Sequence, residues 1–203
     1  MKSTVKFILK NSVIFALISL GFSAIGAMFP DSEHTFVIGN PLVVSTVNAE
    51  HILGHIFWGA VIGLGTLSIR YIILGGSFAI LLDADHLLQF LDIELVSRMS
   101  HSIPFAILAS IVFFIILRGK NIRICAVAFA AVLSHIAFDV FLADIAFNSG
   151  SAFPLFSPFS FETVTFVGLD WLGIQIVGVC IVAVVSYLSK RREMKIKPSL
   201  TKT

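Results

Sequence analysis

Six apolar runs divide this chain and leave it few folds to choose from. A helix that crosses the hydrocarbon core of a bilayer needs about 17–25 mostly apolar residues. Asn11 to Phe29 supplies one such run, followed by His51 to Ile69, Tyr71 to about Leu91, a shorter run from Ile103 to Leu117, Ile124 to Ala143 and Leu169 to Ser189. Lipid offers no hydrogen bonds, so every backbone N–H and C=O must be satisfied within the protein, and only helices or closed barrels do this. The runs are long, and the alternating segments of a barrel, about ten residues each, are absent. The expectation is therefore an all-α, polytopic membrane helical bundle of about six transmembrane helices. Composition agrees: 13% of the 203 residues are charged, against roughly 25% in soluble chains.

Sidedness follows from lysine and arginine near the helix ends, which concentrate in cytoplasmic segments. Lys2, Lys6 and Lys10 precede the first run, and Lys190, Arg191, Arg192, Lys195 and Lys197 follow the last. With both termini cytoplasmic, alternation also puts Arg70 and the Arg118-Lys120-Arg123 loop inside, and leaves Arg98 alone outside. The first run, residues 1–29, reads as a retained helix or signal anchor, since its apolar core is long for a cleaved signal despite Ala24, Gly26 and Ala27 near its end. Residues 30–50 form an outer loop, 51–168 the helical core with a second outer loop at 145–168, 169–189 the last helix, and 190–203 a basic cytoplasmic tail. The second loop is rich in Phe, Ser and Pro; its aromatics suit the interface, and it is placed either to cap the site or to dip partly into the bilayer. A net charge of +2 is too small to argue for nucleic acid. Cys125 and Cys180 lie in apolar runs without ligand spacing and read as small packing residues. Gly59, Gly63 and Gly65 read as close-packing positions.

Against that background the ionisable groups stand out. Each one held at membrane depth costs about 2.5–3.5 kcal/mol on insertion scales, so it needs partners. The topology brings them to one depth, near the outer leaflet: His51 and His55 open the second helix, Asp83, Asp85 and His86 end the third, His101 precedes the fourth, and His135 and Asp139 lie toward the outer end of the fifth. On a helix, residues three or four apart share a face, as do His51/His55, Asp83/His86 and His135/Asp139. Aspartate with histidine is a ligand set for a divalent metal, and the mixed N/O donors suit zinc or manganese. The expected ligands are His55, Asp83, Asp85, His86, His101, His135 and Asp139. Whichever of Asp85 or His101 is not a ligand is the expected general base. Ser100, Ser102 and Ser134 flank these residues as hydrogen-bond partners, whereas Asp31, Glu33 and His34 read as a solvated loop cluster.

The order of these elements is similar to that of the membrane-bound metal-dependent hydrolases, a family that includes the LexA-regulated inner-membrane protein and was long catalogued as a domain of unknown function. The matching residues are His55-Ile56-Phe57-Trp58-Gly59, Leu82-Asp83-Ala84-Asp85-His86, Ser100-His101-Ser102, Ser134-His135-Ile136-Ala137-Phe138-Asp139 and Ser157-Pro158-Phe159. They cover about residues 50 to 165. The resemblance implies a metal-dependent hydrolase of a prokaryotic cytoplasmic (inner) membrane. Two departures are visible: Val96 stands where the family often has a histidine, and Leu82 where it has a proline. The missing imidazole leaves one ion or two open, with His51 or His34 as substitutes. A site at headgroup depth points to membrane lipid, or a lipid-linked phosphate or ester, as substrate. The alternative is a cation- or proton-coupled transporter that uses the same Asp/His cluster.

Overall fold

The computed structural model describes residues 2–29, 40–44, 48–91, 96, 98–147 and 150–200. Asp31, Glu33 and His34, with most of the expected first outer loop, lie outside the described residues. The α-helices are α1 (Lys2–Ala24), the short α2 (Pro41–Val44), α3 (Ala49–Leu64), α4 (Ile69–Leu82), α5 (Ile103–Ile116), α6 (Ile122–Phe147) and α7 (Asp170–Leu200). Two 3₁₀ segments extend α1 (Ile25–Met28) and α4 (Asp83–Leu91). Between α6 and α7, strands β1 (Ser151–Phe153) and β2 (Val164–Phe166) form an antiparallel pair, with Ser151 opposite Phe166.

The helical class is as expected. Among the described residues, four segments are long and apolar enough to cross a membrane: Lys2–Met28, Ile69–Leu91, Ile122–Ile145 and Asp170–Met194. The other two expected spans, α3 and α5, have 16 and 14 residues. At 1.5 Å per residue they reach about 24 and 21 Å, short of a hydrocarbon core of about 30 Å. Val5, Leu9, Val13 and Leu17 on α1, and Ile176, Val177 and Val184 on α7, present exposed apolar surface. Cys180 also lies exposed on α7 instead of packing inside, while Cys125 is partly buried against the core.

Of the four long segments, the one containing α6 is the most enclosed by the rest of the protein. Small residues make this possible: Ala126, Ala128, Ala130 and Ala131 are all buried, letting neighbours approach closely. A buried aromatic stack, Phe15 on Phe78 at 4.4 Å and Phe78 on Phe113 at 5.3 Å, joins α1, α4 and α5. The tightest approach is between α3 and α4, where Gly59 faces Gly75 and a methyl on either would meet the other's carbonyl oxygen. Gly63, against Tyr71 and Ile72, and Gly65, against α7, do the same, as expected from sequence.

The contacts sort the bundle into two ends. Arg70 lies over the Phe7 ring, Tyr71 donates to Asn121 Oδ1 at 2.9 Å, and Arg123 pairs with Glu193 at 2.7 Å. These contacts gather the basic ends of α1, α4, α6 and the tail side of α7. The start of α3 and the ends of α4 and α6 meet at the opposite end, with the residues just before α5.

Candidate metal centre

Local structure aims each ligand candidate. Asn48 Oδ1 accepts from His51 N at 2.9 Å, capping α3 so that His51 falls in its first turn and His55 one turn on. The α-helix α4 stops at Leu82 because the Asp83 N–H bonds back to Ile80 and Leu81 in the tighter 3₁₀ pattern. Aspartates are poor helix-interior residues, and two of them follow here. In a 3₁₀ helix, residues three apart eclipse, so Asp83 and His86 share a face while Asp85 turns toward Ser100. Ser102 accepts from Phe105 N at 3.3 Å and begins α5, which leaves His101 in the turn just before it.

Asp83 is the hub. Its Oδ2 lies 3.1 Å from His51 Nε2 and 3.6 Å from His55 Nε2. Its Oδ1 lies 3.2 Å from His135 Nε2, 3.5 Å from His86 Nε2 and 3.7 Å from His101 Nε2. Asp139 joins the same set: Oδ1 is 3.2 Å from His55 Nε2 and Oδ2 is 3.7 Å from His135 Nε2. The His55 and His135 rings stack 3.7 Å apart. Four overlapping groups, His51/His55/Asp83, His55/His135/Asp139, Asp83/His101/His135 and Asp83/Asp85/His86, each bring their donor atoms within 4.8 Å of one another. These buried histidines and aspartates can hold a metal ion.

The tautomers support that chemistry. His135 Nδ1 is 2.8 Å from the Ala79 carbonyl, which can only accept, so Nδ1 carries a proton and Nε2 is the atom turned into the cluster. Ser100 Oγ donates to Asp85 Oδ2 at 3.2 Å and lies 3.3 Å from His101 Nδ1, from which it accepts. His101 Nε2 is therefore also turned into the cluster, and it lies 2.9 Å from His135 Nε2. Two ring nitrogens so close need a shared proton or a metal ion between them. Burial holds His101 below the ordinary histidine pKa. Among the described residues, the carboxylates of Asp83, Asp85 and Asp139 meet histidines and Ser100, and no lysine or arginine pairs with them. Arg98, the one basic side chain at this end among the described residues, acts on Asp139 at longer range, donates to the Ala152 carbonyl and lies over Phe153.

All seven expected ligands come together. His51, left outside that set and held only as a substitute, belongs to the cluster; its spacing of four from His55 was the signal. Val96, at the position of the missing histidine, is buried and donates from its N–H to Gly26 O at 3.3 Å. The serines divide: Ser100 orients His101, but Ser102 caps α5 and bonds the Ser157 carbonyl, and Ser134 Oγ has no partner. Of the two expectations for the Phe/Ser/Pro loop, capping the site or dipping into the bilayer, its first half bears on the former by docking on the turn that carries His101. Ile103 N donates to Leu155 O at 2.9 Å, and the buried Phe153 ring lies parallel to His101. Phe156 and Phe159 at its tip are exposed.

Fold and site together define a class: a helical protein with membrane-length apolar segments and a buried His/Asp cluster able to bind metal. No protein-family model, no curated protein and no solved structure matches the chain.

Proposed function

We propose that the chain is a metal-dependent hydrolase of a prokaryotic inner membrane, akin to the membrane-bound metal-dependent hydrolases its motifs resemble. The observation that carries this reading is the convergence of the His101 and His135 Nε2 atoms, 2.9 Å apart, with the buried carboxylates of Asp83 and Asp139. Zinc or manganese fits the mixed N/O donors. Such an ion supplies Lewis acidity, polarising a phosphoryl or acyl oxygen and lowering the pKa of water toward about 7.

The protein's own groups do the rest. His135 and His101 are fixed in their ligating tautomers by Ala79 O and Ser100. Asp85 has one oxygen on Ser100 and the other, Oδ1, buried with no hydrogen-bond partner. With His101 committed to the cluster, Asp85 is the base that takes the proton from attacking water. His86, the most exposed of the set, marks the side from which substrate enters. With the basic end in the cytoplasm, the site faces the outer leaflet, and membrane lipid or a lipid-linked phosphate or ester is the substrate class.

Elemental analysis of detergent-purified protein tests this first. The expected result is near-stoichiometric transition metal in the wild type, lost in Asp83→Ala and His135→Ala but retained in Asp85→Ala, with turnover of lipid phosphates or esters lost in all three. The alternative, a cation- or proton-coupled transporter, draws on the same facing imidazoles, which can share a proton. It predicts no retained metal, and proton uptake into proteoliposomes that His135→Ala abolishes.

A further inference from the structure

We propose that the cluster is built for two divalent ions, bridged by Asp83 and Asp139, with His51 completing the first half of the site. This rests on the metal-binding reading above and sets its stoichiometry.

The donors form two imidazole pairs, which adjoin where the His55 and His135 rings stack 3.7 Å apart. His51 and His55 bring their Nε2 atoms within 3.1 Å of each other, and His101 and His135 bring theirs within 2.9 Å. Asp83 is split between the halves: Oδ2 faces the first pair and Oδ1 the second. Asp139 is split in the same way, Oδ1 toward His55 and Oδ2 toward His135. A carboxylate serving a single ion has no reason to address two imidazole pairs with different oxygens. Two carboxylates doing so in parallel is the arrangement of a bridged pair of ions.

Coordination geometry agrees. Metal–ligand bonds of about 2.0–2.2 Å give ligand–ligand edges of about 3.0–3.6 Å in octahedral or tetrahedral spheres. The separations within each half, 2.9–3.7 Å, are of that size. One sphere cannot hold His51, His55, His86, His101, His135, Asp83 and Asp139 together, because zinc and manganese take about four to six ligands.

Charge points the same way. Asp83, Asp85 and Asp139 carry three negative charges in a buried site with no lysine or arginine paired to them among the described residues. One divalent ion leaves a net negative charge there. Two ions with a hydroxide balance it.

The test uses the full chain in detergent, dialysed against Mn²⁺, with bound manganese counted per chain and electron paramagnetic resonance recorded on the same samples. The expected result is two manganese ions per wild-type chain with an exchange-coupled spectrum. His51→Ala and His101→Ala should each retain one ion and show the hyperfine pattern of isolated Mn(II). One ion in the wild type, unchanged in His51→Ala, overturns the second ion while leaving the metal-binding reading intact. One ion in the wild type that is absent from both variants also overturns it, in favour of a single shared sphere. Two ions without coupling overturn the bridge. No manganese in any sample sinks both readings. His51 lies at the partly exposed edge of the cluster, and the wild-type spectrum carries the proposal even if a variant fails to fold.

Discussion

At one end of the bundle the charges are basic and sit at the periphery, at helix ends and over aromatic rings. Arg70 rests on Phe7, Arg191 on Tyr187, and Arg123 meets the largely exposed carboxylate of Glu193. At the other end the charges are acidic and inward, with Asp83 and Asp139 enclosed by imidazoles. Exposed pairs such as Arg123–Glu193 contribute little, about 0–1 kcal/mol. Buried carboxylates without a cation cost several kcal/mol each. The first end therefore tolerates change, and the second persists only because something compensates it. That asymmetry marks where function lies.

The comparison can be broken at graded strengths. Asp83→Ala removes the group shared by both imidazole pairs. It should weaken metal binding by more than about 100-fold, beyond the 10–100-fold typical of orienting partners, as read by equilibrium dialysis. Ser100→Ala, which frees His101 Nδ1 and Asp85, should cost about 10–100-fold in the same measurement; an unchanged affinity would mean that Phe153 and the docked loop hold the ring without it. Gly59→Ala pushes α3 off α4 at Gly75 and should destabilise the protein by about 1–2 kcal/mol, at the lower end for overpacking. Unfolding in mixed micelles reads that cost. Arg123→Ala should change stability by less than about 1 kcal/mol and leave metal content untouched. Loss of metal there would show that the two ends are coupled, and the contrast between them would fail.

Much of this was legible in the sequence, for identifiable reasons. The apolar runs are long enough that solvation alone dictates helices, and the ligand candidates stood out because ionisable groups in apolar runs are costly. The glycines were visible through their small-residue spacing. What sequence could not show was three-dimensional choice. Nothing in Ser100, Ser102 and Ser134 says which one orients a histidine, because that depends on whether the neighbouring backbone begins a helix. His51 was undervalued because a histidine at a helix start passes for a solvated one, and only its packing against Asp83 makes it part of the cluster. The hub role of Asp83 depends on where α4 changes its winding.

That change of winding makes α4 a ruler. The helix is pinned to α3 at Gly75, and Asp83 lies eight residues further on, about 12 Å at 1.5 Å per residue. One residue added or removed between them would shift Asp83 by about 1.5 Å and swing it through about 100°, away from both imidazole pairs. Substitutions along that stretch are negotiable; its length is not. The loop at the far end of the bundle, Leu117 to Asn121 between α5 and α6, carries no such calibration. Homologues that vary in length should vary there and keep the Gly75-to-Asp83 interval constant.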